Sequence, residues 1–216
     1  EEKKISAKKE KELNKEQEQL LKEILKNPGK LFLLHGITGS GKTEIYSRLA
    51  KEYVKKNRQV LILVPEISLT PQMVEYFEKS TGEKASVIHS RLSEGERIRA
   101  WKDIREKTAK IIIGSRSAIF SPFRNLGLIV IDEEHEPSYK QDQSTRYETR
   151  NVALKMAELL PDIKIVFGSA TPSCETFEQK NYSSRVKRAF QQDSAAEGRN
   201  NRYERGIQKR QFLYFQ

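Results

Sequence analysis

A single cysteine, Cys174, stands among the 216 residues. That excludes an internal disulfide and any cysteine-based zinc site within this chain, and a chain of this kind is expected in a reducing cytosol. No apolar run approaches the roughly 18 residues that a bilayer span requires, so no membrane partner is expected. The opening Glu1-Glu2-Lys3-Lys4 does not read as a signal peptide. Hydrophobic residues are scarce at 36% and charged ones abundant at 32%. That balance predicts one core with solvated extensions. The net charge of +10 suggests a polyanionic partner, but half of it sits at one end. Residues 177–216 carry nine Lys/Arg against four acids, a net of +5, so charge alone argues only weakly for nucleic acid.

Residues 1–12 are almost all Lys and Glu and read as a charged extension. A helix is expected from about Leu13, with Asn14 as its N-cap, an apolar face of Leu13, Leu20, Leu21, Ile24 and Leu25, and a stop at Asn27-Pro28-Gly29. Short aliphatic runs then alternate with amphipathic helices. Strands are predicted over 31–35, 59–64, 85–89, 110–114, 128–131 and 164–167, and helices to about 56 and over 71–79, 93–106 and 151–160. In the helix at 93–106, Ile98, Trp101 and Ile104 are expected to face inward. The alternation predicts βαβ units around a mainly parallel sheet in a three-layer α/β/α fold, a RecA-like phosphate-loop NTPase lobe over residues 13–177. Residues 178–216 lack periodicity and any convincing strand. They read as a basic tail foreign to the natural protein, its final Leu213-Tyr214-Phe215-Gln216 resembling the stub of a cleavable tag.

The richest stretch is Gly36-Ile37-Thr38-Gly39-Ser40-Gly41-Lys42-Thr43, after the apolar Leu31-Phe32-Leu33-Leu34-His35. It fits the spacing G-x-x-x-x-G-K-[ST] between a strand and a helix. Glycines let the backbone approach a ligand, and successive N–H groups at a helix N-terminus form an anion nest. Lys42 is expected on the β- and γ-phosphates, and the Thr43 hydroxyl on Mg²⁺. ATP and Mg²⁺ are the cofactors implied. The strand at 128–131 delivers Asp132-Glu133-Glu134-His135. Acids at the end of a buried strand are costly without a cation. In a phosphate-loop protein Asp132 would hold Mg²⁺ and Glu133 would orient and deprotonate the attacking water. Glu134 and His135 are grouped with them around the nucleotide, His135 bonding across to the next motif. Read by itself, the tetrad is equally an acidic loop start or a helix N-cap.

These residues, with Gly168-Ser169-Ala170-Thr171, resemble motifs I, II and III of superfamily-two helicases. More narrowly, four stretches resemble the PriA family of bacterial replication-restart helicases. They begin Leu63-Val64-Pro65-Glu66-Ile67-Ser68-Leu69-Thr70-Pro71-Gln72, His89-Ser90-Arg91-Leu92-Ser93, Ile113-Gly114-Ser115-Arg116-Ser117 and Asp132-Glu133-Glu134-His135-Glu136-Pro137-Ser138-Tyr139-Lys140-Gln141. The resemblance implies a motor lobe of a 3′-to-5′ helicase acting on forked or single-stranded DNA, in a bacterial cytoplasm, with primosome proteins and single-strand-binding protein as partners. It implies that Gln17 reads adenine through its amide. It puts Thr70, Pro71 and Gln72, and then Ser115, Arg116 and Ser117, on the DNA backbone. The first set also suits turn and capping chemistry. The polar loop at 137–150, with Tyr139, Lys140, Arg146, Tyr147 and Arg150, is similar to the family's aromatic-rich loop, where rings stack bases and cations track phosphates. It is also readable as a charged surface loop with buried tyrosines. Ser169 and Thr171 are implied to link nucleotide to DNA.

Nothing after Phe177 resembles motifs IV to VI, so the second helicase lobe and its arginine finger are expected to lie outside this chain. The lobe alone is expected to bind Mg·ATP weakly, hydrolyse it poorly and unwind nothing. Two other readings fit fewer residues. One is a lobe of another superfamily-two translocase, on branched DNA or RNA. The other is a nucleotide-gated binding module, which would dispense with Lys42, Asp132 or Glu133.

Overall fold

The computed structural model describes residues 12–37, 39–174 and 176, together with a strand at 184–186. Expectations for residues 1–11, for Thr38 and for the rest of the tail lie outside the described residues. The chain runs α1 (Lys15–Lys26), β1 (Leu31–His35), α2 (Lys42–Lys55), β2 (Gln59–Leu63), α3 (Pro71–Thr81), β3 (Ala85–Ile88) and α4 (Glu94–Arg105). It continues through β4 (Ile111–Gly114), β5 (Leu126–Ile131), β6 (Lys140–Gln141), β7 (Tyr147–Glu148), α5 (Thr149–Leu159), β8 (Lys164–Ser169) and β9 (Ser184–Val186).

Seven strands form one sheet in the order β3-β4-β2-β5-β8-β1-β9, and every pairing in it is parallel. Strands buried on both faces need no polar alternation, which is why they read as continuous aliphatic runs. Alternate side chains nevertheless go to opposite faces. Phe32, Leu34, Ile62, Ile113, Val130 and Val166 pack with Leu20 and Ile24 of α1, Ile45, Tyr46 and Leu49 of α2, and Phe77 of α3. Leu33, Leu61, Leu63, Ile112, Ile129, Ile131, Ile165 and Phe167 pack with Ile104 of α4, Ala153 and Ala157 of α5, and Ala118 and Ile119. The layers are therefore α/β/α. No helix of the described residues is long and apolar enough to cross a membrane.

Local chemistry sets the boundaries. Asn14 caps α1 in a reciprocal box with Gln17, and the helix ends at Asn27. Thr70 caps α3, with Pro71 in its first turn and Gly82 left-handed at its end. β5 starts at Leu126, two residues before its expected start, because its ladder to β2 slips at Gly127.

The structure corrects three expectations about the frame. Ile98 and Trp101 do not face inward: they are 60% and 45% exposed, and only Ile104 of the three is buried. α4 packs against β3, the outermost strand, so little sheet lies beneath its first turns. The stretch at 137–150 is not an open loop. It forms a 3₁₀ turn at Pro137–Tyr139 and the antiparallel pair β6–β7, and Arg150 is buried in α5. Finally, the region expected to hold no strand contributes β9, which pairs with the free side of β1. That pairing is a backbone event on an open edge, which side-chain periodicity does not report.

Candidate functional site

In a parallel sheet all strands end on one side, and ligands collect beyond those carboxyl ends. β5, β8 and β1 are consecutive in the sheet, so the acidic tetrad, the Gly168–Thr171 stretch and the phosphate loop stand side by side. At the phosphate loop, Gly41 is left-handed (φ 86°) and opens α2. A Cβ there would lie 2.7 Å from the Gln17 Nε2, so the amide from α1 comes close over the loop, and it is the left-handed backbone that calls for glycine. Gly39 is also left-handed (φ 80°). Ile37 is exposed, whereas Ser40 is buried and its Oγ has no hydrogen-bond partner among the described residues. A buried hydroxyl without a protein partner, one residue before the N-cap of α2, fits a phosphate oxygen as its partner.

Lys42 is 6% exposed and turns back into the loop, donating to Gly36 O at 2.7 Å and Ile37 O at 3.4 Å. Its Nζ lies 3.6 Å from Glu133 Oε1. Thr43 is half-buried in the first turn of α2. Gly36 N donates to Ser169 O at 3.1 Å, which stitches the loop to β8.

Asp132 is held from several sides. Its N–H donates to Leu63 O at 2.9 Å. Its Oδ1 accepts from the Tyr46 hydroxyl at 2.9 Å, and its carbonyl from the Tyr139 hydroxyl at 2.7 Å. Burial, reinforced by Glu133, pushes the Asp132 carboxyl above its ordinary range, while the Tyr46 hydrogen bond and Lys42 pull the other way. The same burial raises both phenols far above theirs. Glu133 adopts a left-handed backbone (φ 45°). That turn aims its carboxylate back over the loop, between Lys42 and the His135 Nδ1 at 3.7 Å. His135 Nδ1 is 2.7 Å from Ser169 Oγ, which also accepts from Thr171 N at 3.0 Å, so the expected bond from tetrad to next motif is present.

Two site expectations are corrected. Glu134 does not face the nucleotide: its buried carboxylate accepts from Ser173 N, Ser173 Oγ and Thr176 Oγ1 at 2.9, 3.2 and 2.7 Å. The tetrad is a turn whose Glu134 N donates to Gly168 O at 3.0 Å, which sets Glu134 against the chain leaving β8. Tyr139 offers no ring for a base. It is 3% exposed because its hydroxyl is committed to Asp132 and its carbonyl to Thr149 Oγ1.

Gln17 sits at the edge of the site with its amide divided. Oε1 accepts from Asn14 N at 3.0 Å, and Nε2 reaches Ser40 O at 3.4 Å. Further along the same sheet edge, a cleft of about 350 Å³ opens beyond β2 and β4. Ser115, Arg116, Ser117 and Tyr147 line it, joined by Glu66, Ser90 and Ser138. Arg116 donates to Ser138 O at 3.1 Å and Lys140 O at 2.6 Å, tying the cleft floor to the β6–β7 hairpin. Tyr147 packs edge-on against the exposed Phe120, ring centroids 4.9 Å apart. Thr70, Pro71, Gln72, Lys140 and Arg146 are exposed but do not line the cleft. Thr70 is occupied in capping Met73 N.

Sequence reasoning gave no role to Tyr46, Ser173 or Thr176, and it quoted Gly168, Glu66 and Ser90 only as members of longer motif stretches. Tyr46 lies within α2, outside every motif that the sequence offers. Ser90 donates to Glu66, which holds that carboxyl below its ordinary range.

A family model described as DEAD/DEAH box helicase matches residues 14–179. The replication restart protein PriA of Bacillus subtilis (strain 168) is 51% identical over 148 residues, covering 68% of this chain and 18% of that protein. The replication restart protein PriA of Haemophilus influenzae is 46% identical over 165 residues, covering 76% and 22%. The chain therefore spans about a fifth of the length of these relatives. The structure of RecG bound to a three-way DNA junction shares the fold, with a TM-score of 0.58 and 20% identity, covering 78% of this chain and 23% of that one.

Proposed function

This chain belongs to the DEAD/DEAH box helicase family, and from that footing we propose that it is the ATP-binding motor lobe of a bacterial replication-restart DNA helicase that works 3′-to-5′. The observation that carries the proposal is the meeting of phosphate loop and acidic tetrad, with Lys42 Nζ 3.6 Å from Glu133 Oε1. The relatives named replication restart protein support the narrower assignment.

The reaction is transfer of the terminal phosphoryl group of ATP to water. The bond from the γ-phosphorus to the bridging oxygen breaks, a bond to the water oxygen forms, and ADP and phosphate leave. Lys42 exchanges its bonds to Gly36 O and Ile37 O for the β- and γ-phosphates. The nest over Gly39, Ser40 and Gly41 receives the β-phosphate. Glu133, freed from Lys42, takes the proton of the attacking water on a carboxylate oxygen. Thr43 and Asp132 would hold Mg²⁺, which would supply positive charge against the charge developing on the phosphates. Gln17 already has its amide over the loop, and swings it from the cap to an adenine edge. His135, Ser169 and Thr171 form the hydrogen-bonded run through which β8 senses the terminal phosphate.

DNA occupies the cleft lined by Ser115, Arg116, Ser117 and Tyr147, where hydroxyls and one guanidinium suit backbone phosphates without reading sequence. Thr70, Pro71, Gln72, Lys140 and Arg146 extend that track over the exposed surface. A second lobe, primosome proteins and single-strand-binding protein complete the assembly. Without the second lobe's arginine, hydrolysis by this chain is slow, since such a residue contributes about 10³–10⁵ in rate in related phosphoryl transfer.

Calorimetric titration with Mg·ADP tests the nucleotide site directly and is expected to show one binding event per chain. Fork-DNA unwinding by the full-length helicase, lost on Lys42→Ala, tests the motor. Retained unwinding by that variant would leave only a nucleotide-gated binding module.

A further inference from the structure

Two tyrosines from different elements grip Asp132. Tyr139, next to the hairpin, bonds its carbonyl, and Tyr46, from α2, bonds its carboxylate at Oδ1. Tyr46 is fully buried, yet its hydroxyl proton goes to the acid assigned to the metal. Thr43 and Tyr46 stand three residues apart on α2 and so share one face of the helix. One helix face therefore presents both the hydroxyl proposed for Mg²⁺ and the phenol that restrains the carboxylate opposite. The path of that phenol crosses β8 at Gly168, where a Cβ would lie 1.7 Å from the Tyr46 oxygen and 3.3 Å from Asp132 Oδ1. Only glycine leaves that passage open. The opening residue of the third motif is thus dictated by a side chain of α2.

We propose that Tyr46 is the positioning residue for the metal-binding carboxylate: its phenol, bonded to Oδ1, fixes the rotation of Asp132 and so presents the carboxylate to the magnesium ion of the bound nucleotide. The inference rests on the magnesium–nucleotide reading of this end of the sheet. Partners that orient a metal-binding group typically contribute about 10- to 100-fold in metal affinity or activity. The ring of Tyr46 fills core volume in either case, whereas the hydroxyl acts only through Asp132.

The test is ADP binding to this chain by titration, once in EDTA and once in saturating Mg²⁺, for the wild type and Tyr46→Phe. The ratio of the two dissociation constants isolates the metal's share. The expected result is an unchanged affinity in EDTA and a metal-dependent gain reduced about tenfold, with the Mg²⁺ midpoint shifted upward. An unchanged ratio would overturn the proposal, as would an equal loss in both conditions, which would mean general damage to the phosphate loop. A wild type that binds no ADP in either condition defeats the nucleotide reading itself, a separate outcome. Gly168→Ala provides the second variant, because it keeps the phenol but blocks its path. If Tyr46→Phe fails to fold by circular dichroism, selective loss of the magnesium gain in Gly168→Ala upholds the proposal and retention overturns it. If neither variant folds, the phenol is a core element and the proposal falls.

Discussion

The ammonium of Lys42 and the carboxylate of Glu133 lie 3.6 Å apart across the tips of β1 and β5, with β8 between those strands. Each group is thereby the other's partner: the lysine proposed to meet phosphate and the acid proposed to meet water hold one another. In the proposed function, nucleotide entry breaks this pair and so makes both members available at the same moment.

Removing the lysine should cost most of the affinity. Charge-assisted hydrogen bonds contribute about 1.5–3 kcal/mol, which corresponds to roughly 10- to 100-fold. Lys42→Ala is accordingly expected to raise the Mg·ADP dissociation constant by that factor, read by calorimetry on this chain.

Asp132 should trade stability for function in a pH-dependent way. Its folded carboxyl titrates above the ordinary value of 3.8, chiefly through burial. A carboxyl raised on folding favours the folded state at low pH and loses that contribution as pH climbs from 3.8 through the raised value. Asp132→Asn is therefore expected to melt higher than wild type at pH 7 to 8 without ligand. The gap should close as pH falls toward 3.8, and the variant should show no Mg²⁺ enhancement of ADP binding. Differential scanning fluorimetry across pH reads the first part. A variant melting below wild type at pH 8 would contradict it.

The faces of α4 should differ sharply. Ile104 is fully buried, whereas Ile98 is 60% exposed. Ile104→Ala is expected to destabilise by about 2–5 kcal/mol, and Ile98→Ala to stay within about 0.5 kcal/mol. Urea unfolding curves decide between them.

Arg116 should matter to DNA through charge and through the hairpin together. Its guanidinium holds Ser138 O and Lys140 O at the cleft. Arg116→Gln is expected to weaken single-stranded DNA binding by similar factors for all sequences. The slope of log affinity against log salt should shrink by about 0.7, one phosphate's share on a single strand. Fluorescence anisotropy at several salt concentrations would show this, and a sequence-dependent loss would argue against backbone contact.

The frame was readable because it rests on local patterns. Continuous aliphatic runs such as Val60–Leu63 on β2 and the glycine–lysine spacing of the loop depend on neighbours in sequence, and the structure places them as expected. What was not readable depends on partners far along the chain. Nothing local marks Tyr46 as a ligand of Asp132, or Glu134 as the holder of Ser173 and Thr176. Gln59 is a further case. A buried amide there looks like an error in a strand, yet it bonds Ile104 O, Ala109 O, Arg124 N and Asn125 N and so closes the far end of the sheet. Ile98 and Trp101 failed in the opposite sense: helical spacing showed a shared face but not that the helix rides on the outermost strand.

β9 has a bearing on how molecules of this protein treat one another. Strand β1 carries the phosphate loop, and its outer side would present an unbroken row of amides and carbonyls to any extended segment that drifted by. With Ser184–Val186 laid along that row, a neighbouring molecule can no longer pair with the strand that carries the phosphate loop, and the open edge on this side of the sheet passes to the three-residue β9.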